Sequence, residues 1–133
     1  LNQTDFSKLE LNKSKSFQEL NKRFGLVDDP ANIIQMRVNF SPQNERNFAH
    51  FDSKFGLTML YYVNEEWDLT WGGHTLFLDE SLKNVEYTSL FTPNRVIIFD
   101  GSIPHMIMTP NFQAQRPRFT FAIHLMNTDK LYT

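Results

Sequence analysis

Apolar residues fall in short runs along most of this chain, and their period changes once. Within SFQELNKRFGL, Phe17, Leu20 and Phe24 recur at helical spacing, which predicts a short helix with one buried face. Ser16 and Glu19 have capping-box spacing, in which each side chain satisfies an unpaired backbone N–H at the helix start. Gly25 is placed to end the helix in a left-handed turn. Lys13, Lys15, Lys22 and Arg23 form its solvated side.

Beyond Asp28-Asp29-Pro30 the runs shorten to strand length. Eight strands are predicted: 33–40 (IIQMRVNF), 48–52 (FAHFD), 57–64 (LTMLYYVN), 74–80 (HTLFLDE), 85–91 (VEYTSLF), 95–100 (RVIIFD), 105–109 (HMIMT) and 118–126 (RFTFAIHLM). Gly, Pro, Asn and Asp punctuate them in WGG, TPN and DGSIP, as turns require. Many short strands after one helix predict an antiparallel barrel or a double-sheet jelly roll.

At 133 residues the chain fits a single domain, with a helical part over about 1–30 and a β core over about 33–126. Thirteen Phe favour a β-rich core, because aromatic side chains suit a pleated, half-buried surface. A net charge of −2 and the lack of a dense basic run give no footprint for nucleic acid. The absence of Cys excludes disulfides, thiolate metal sites and cysteine nucleophiles. No apolar run is long enough to span a bilayer and the opening residues carry no signal-peptide pattern, so the expectation is a cytoplasmic protein without a membrane partner.

Within 48–52, strand alternation points His50 and Asp52 the same way and Phe51 the other. His105, delivered by the turn FDGSIP, could join them as a third ligand. Two imidazoles and one carboxylate on one side of an octahedral metal leave three positions open, as in non-haem Fe(II) oxygenases; zinc and manganese accept the same donors. Each residue alone is more simply a hydrogen-bonded structural group. In the last strand Arg118 and Thr120 share a face, and an inward arginine is costly unless an anion meets it. Its fork suits a carboxylate, with the Thr120 hydroxyl beside it. Arg116, nearby across Pro117, is a rival for that role.

Together, HFD, LTMLYYVNEEWDLTWGGHTLFLDE, PNRVIIFDGSIPH and RFTFAIHL resemble the 2-oxoglutarate- and Fe(II)-dependent dioxygenases, in the prolyl 4-hydroxylase-like branch. The resemblance covers about residues 48–126, with His105 53 residues after Asp52 and Arg118 13 after His105. It implies a double-stranded β-helix (jelly roll) core with the N-terminal helix packed outside. It implies Fe(II) on His50, Asp52 and His105, and 2-oxoglutarate as co-substrate with its distal carboxylate on Arg118. Thr120 would assist, and Tyr62 would bring a phenol near the same carboxylate. The implied reaction is hydroxylation of a C–H bond with dioxygen, releasing succinate and CO2, with ascorbate as a reductant. A prolyl residue, an amino acid or a small metabolite would be the substrate.

Two other readings use the same residues: a non-catalytic jelly-roll binding module with a vestigial triad, or a cupin-like metalloenzyme that does not use 2-oxoglutarate. The second leaves Arg118 and Thr120 unexplained. Trp67 and Trp71 read as caps on the core or its loop, Met106 and Met108 as core filler, His74 as a surface or rim residue, and Ser53 as a support for Asp52. His124 shares the Arg118 face but is expected to lie far from the metal.

Overall fold

The computed structural model describes residues 15–24, 32–52 and 56–126, apart from a few helix side chains. Among the described residues one helix, α1 (Lys15–Phe24), precedes seven strands: β1 (Ile33–Ser41), β2 (Gly56–Tyr62), β3 (Thr75–Leu78), β4 (Val85–Ser89), β5 (Val96–Asp100), β6 (His105–Ile107) and β7 (Arg118–Met126). Ser16 falls within the described helix, and its side chain, with the capping box expected of it, lies outside the described residues. The side chains of Phe17, Leu20 and Phe24, and all of Gly25, lie outside the described residues, as does the packing expected of this helix.

The strands form two antiparallel sheets, one ordered β1-β7-β2-β5 and the other β4-β3-β6. This is a mainly β, jelly-roll arrangement. The long strand β7 pairs with both β1 and β2, which makes it the spine of the larger sheet. Because side chains alternate, β7 presents two faces. Ile123 and Leu125 join Ile33, Met36, Leu57 and Met59 in a buried cluster on one face. Arg118, Thr120, Ala122 and His124 occupy the other, which looks toward the smaller sheet. Strand β2 is buried along nearly its whole length, which explains why LTMLYY reads as a continuous run rather than an alternation. Leu60, Tyr62, Phe77, Phe91, Phe99 and Ala122 pack between the sheets, with Trp67 against them.

One expected strand is absent. Residues 48–52 make a single bridge, His50 to His105, rather than a ladder. The two residues exchange backbone hydrogen bonds of 2.9 and 2.8 Å, and Asp52 N–H donates to Gly101 O at 2.9 Å. The segment therefore lies along the edge of β6 but is too briefly paired to be a strand. Gly72 and Gly73, at φ 76° and 77°, make the left-handed return after a short 3-10 turn at Leu69–Trp71. Met108 is exposed rather than core filler.

Candidate metal and carboxylate site

The two sheets enclose a cavity of about 280 Å³. His50, Asp52, His105, Arg118, Thr120 and His124 all line it. His50 and Asp52 reach it from the edge segment, and His105 from the first position of β6. One ligand atom from each of His50, Asp52 and His105 falls within a mutual 4.8 Å. His50 Nε2 is 3.7 Å from Asp52 Oδ1, and His105 Nε2 is 3.5 Å from Asp52 Oδ2.

The imidazoles are oriented by the backbone. His50 Nδ1 sits 3.1 Å from Phe48 O and His105 Nδ1 sits 2.9 Å from Ile103 O. A carbonyl only accepts, so in both rings Nδ1 carries the hydrogen, and in the neutral imidazole Nε2 then has the lone pair. Both lone pairs thus belong to the atoms that face Asp52. Burial pushes the His105 imidazole below its ordinary pKa, which favours the neutral form that can donate to a metal. With the carboxylate, the two imidazoles make a two-histidine, one-carboxylate group that could hold a metal ion.

Arg118 is 1% exposed. Its Nε donates to Gly73 O at 2.7 Å and its Nη2 to Thr75 Oγ1 at 3.2 Å. Its guanidinium carbon lies 4.8 Å from the centre of the Phe91 ring and 5.4 Å from that of Tyr62. Among the described residues no carboxylate pairs with it. Burial pushes its pKa down to about 10, so it stays charged at neutral pH. A guanidinium has five N–H donors; Gly73 O, Thr75 Oγ1 and the Tyr62 hydroxyl take three, which leaves two for an anion. Thr120, fully buried, accepts from Asn39 Nδ2 at 3.2 Å, and its own hydroxyl proton remains available to a ligand.

Arg116, the rival, pairs with Glu66 at 3.4 Å outside the cavity. Tyr62 stands one layer behind: it does not line the cavity, and its hydroxyl bonds Thr75 at 2.8 Å and Ser89 at 3.1 Å. His74 Nδ1 accepts from Phe91 N–H at 3.0 Å, a structural bond. Ser53 lies outside the described residues.

His124 departs from expectation. Its Nδ1 is 3.6 Å from Asp52 Oδ2, against the triad rather than far from it. The antiparallel run of β7 explains this: Arg118 begins the strand, and His124 lies near the end that Asp52 crosses. Thr58 was also missed; its hydroxyl donates to Asp52 Oδ2 at 2.6 Å. Strand alternation put His124 on the right face, but nothing local in the sequence links Thr58 to Asp52.

Comparison with solved structures follows this geometry. A prolyl 4-hydroxylase from Pseudomonas putida superposes with a TM-score of 0.58 at 16% identity, covering 84% of this chain and 60% of its own. The fold is that of the 2-oxoglutarate-Fe(II) oxygenases. An oxidoreductase of that family from Burkholderia pseudomallei gives 0.56 at 14% identity, over 86% of this chain and 59% of its own. A prolyl hydroxylase from Trichoplax adhaerens, in complex with a peptide fragment of a hypoxia inducible factor oxygen degradation domain, gives 0.51 at 20% identity, over 74% and 47%. This chain therefore spans about half to three-fifths of the length of those structures. No protein-family model and no curated protein matches the sequence. Among the described residues no helix is long and apolar enough to cross a membrane.

Proposed function

We propose that this domain is an Fe(II)- and 2-oxoglutarate-dependent dioxygenase that hydroxylates a C–H bond. One observation carries the reading: a single cavity joins a two-histidine, one-carboxylate group to a buried arginine with no acidic partner among the described residues. A metal site alone would explain His50, Asp52 and His105 but not the cost of burying Arg118. A dicarboxylate that bridges the two accounts for both.

In this reading His50 Nε2, Asp52 and His105 Nε2 hold Fe(II). Arg118 takes the distal carboxylate of 2-oxoglutarate, and Thr120 adds a hydroxyl donor. Tyr62 supports the same carboxylate from behind, packing under the guanidinium and holding Thr75, which lines the cavity. Bound iron and 2-oxoglutarate supply the oxidative chemistry, in which the substrate C–H becomes C–OH, one atom of dioxygen enters the product, and 2-oxoglutarate leaves as succinate and CO2. The chain's own part is to orient the donors, neutralise the co-substrate's charge and limit water in the site. The peptide bound to the Trichoplax relative favours a peptidyl substrate, with prolyl first, over a free amino acid or small metabolite.

The test begins without oxygen. Fe(II) and 2-oxoglutarate together should give a visible charge-transfer band with the protein, and neither alone should. His50→Ala, Asp52→Ala and His105→Ala should each abolish that band and succinate release, assayed with ascorbate present, while the folded melting transition persists. Full activity in any one of them removes that residue from the triad. Absence of the band in the parent protein refutes the reading.

A further inference from the structure

Asp52 sits on the edge segment, beyond the single His50–His105 bridge. Among the described residues its backbone makes one bond, to Gly101 O, and no ladder runs through it. What orients the carboxylate comes instead from the larger sheet. Thr58 on β2 stands opposite His124 on β7, so register puts both side chains on the cavity face. Thr58 Oγ1 lies 2.6 Å from Asp52 Oδ2 and 3.2 Å from His124 Nδ1. The direct separation of His124 Nδ1 from Asp52 Oδ2, 3.6 Å, is too long for a hydrogen bond, so the hydroxyl is the bridge.

The direction of donation follows from counting protons. A carboxylate only accepts, so the one hydroxyl proton lies toward Asp52. Thr58 Oγ1 then has only lone pairs to offer His124, whose Nδ1 must carry hydrogen and donate. The order is His124 Nδ1–H to Thr58 Oγ1, and Thr58 O–H to Asp52 Oδ2. Thr58 is 2% exposed and His124 8% exposed, so competition from bulk water is small.

We propose that His124 and Thr58 are positioning residues that engage one oxygen of Asp52 and so present the carboxylate to the metal through the other. The inference rests on the oxygenase reading of the site. A carboxylate that bound through both oxygens would take a coordination position that co-substrate or dioxygen needs. Oδ1, 3.7 Å from His50 Nε2, is the oxygen that these bonds leave free to ligate, while Oδ2 faces His105 Nε2 at 3.5 Å. The pair also ties a weakly paired edge segment to the middle of the sheet.

The experiment is an anaerobic titration of the protein with Fe(II), and with Co(II) as a ligand-field probe. Outer hydrogen-bond partners of metal ligands typically contribute about 10- to 100-fold in affinity, and Thr58→Val should lose Fe(II) affinity in that range. Its Co(II) spectrum should change, and Thr58→Ser should restore both affinity and spectrum. His124→Phe should lose less, because the Thr58 bond to Asp52 survives. The double variant should bind no more weakly than Thr58→Val alone, since the two act in series. If the parent binds Fe(II) and Thr58→Val matches it in affinity and Co(II) spectrum, the inference is overturned and the oxygenase reading stands. Fully additive losses in the double variant overturn it as well. If Thr58→Val does not fold, His124→Phe decides: an unchanged affinity and Co(II) spectrum overturn the proposal. If the parent binds neither ion, the oxygenase reading falls first and takes this inference with it.

Discussion

Replacing Arg118 tests whether the cavity is built for a dicarboxylate. Of its five N–H groups, Nε donates to Gly73 O and one Nη2 hydrogen to Thr75 Oγ1. The Tyr62 hydroxyl also hydrogen-bonds the guanidinium, which leaves two N–H groups. That is enough for a bidentate pair with a carboxylate in a buried, low-dielectric setting. Charge-assisted hydrogen bonds contribute about 1.5–3 kcal/mol each, and breaking a buried pair from one side costs about 3–5 kcal/mol. With some compensation by water entering the vacated space, Arg118→Ala should weaken 2-oxoglutarate binding by about 2–5 kcal/mol, roughly 30-fold to several thousand-fold. Arg118→Lys should recover only part, because a point charge lacks the fork. The fold should survive, since the variant also removes a buried charge that has no acidic partner among the described residues. The assay is a 2-oxoglutarate titration of the anaerobic Fe(II) complex, followed by the visible band, with Fe(II) affinity measured separately. Unchanged 2-oxoglutarate affinity in Arg118→Ala would refute the assignment, and a loss of Fe(II) affinity of the same size would show that Arg118 supports the metal site instead.

Two further outcomes follow from the same geometry. Burial holds the His105 and His124 imidazoles below the ordinary value of 6.5, so between the folded values and 6.5 the unfolded chain binds more protons. The associated stability is complete above about pH 6.5 and is lost as pH falls through the folded values, so the metal-free protein should melt progressively lower from pH 7.5 toward 5; a flat melting profile would contradict the burial argument. At Gly73, with φ at 77°, an added Cβ would sit 3.0 Å from Trp67 Cζ2 and 3.3 Å from Arg118 Cδ. Gly73→Ala should therefore lose about 1–3 kcal/mol in chemical denaturation from the backbone term alone, and should weaken 2-oxoglutarate binding by displacing Arg118; parent-like values for both would show that the loop yields at no cost.

Much of this architecture was legible in local pattern. Period-2 alternation in RFTFAIHLM put Arg118, Thr120 and His124 on one face, and the structure puts them on one cavity wall. The glycines of WGG marked the left-handed return that brings Gly73 O to Arg118. Local pattern failed where pairing decides. FAHFD has the composition of a strand, yet it meets β6 through one bridge, because composition does not say whether an edge segment has a neighbour to pair with along its length.

The misreading of His124 has the same origin and is the more instructive. Along β7, His124 is six positions from Arg118, roughly 20 Å at about 3.3 Å per residue. An arginine that meets the far end of a co-substrate should indeed stand away from the metal. A residue far from Arg118 on the same face is thus a candidate for the metal end, not excluded from it. Register supplies what distance along one strand cannot: Thr58 is opposite His124 and Tyr62 opposite Thr120. The β2–β7 pair therefore runs from the end that supports Asp52 to the end that carries Arg118 and Thr120. Two adjacent antiparallel strands carry both halves of the site in opposite order. That arrangement couples the spacing between Asp52 and Arg118 to a sheet register, which a one-residue slip of either strand would destroy by turning that strand's side chains to the other face.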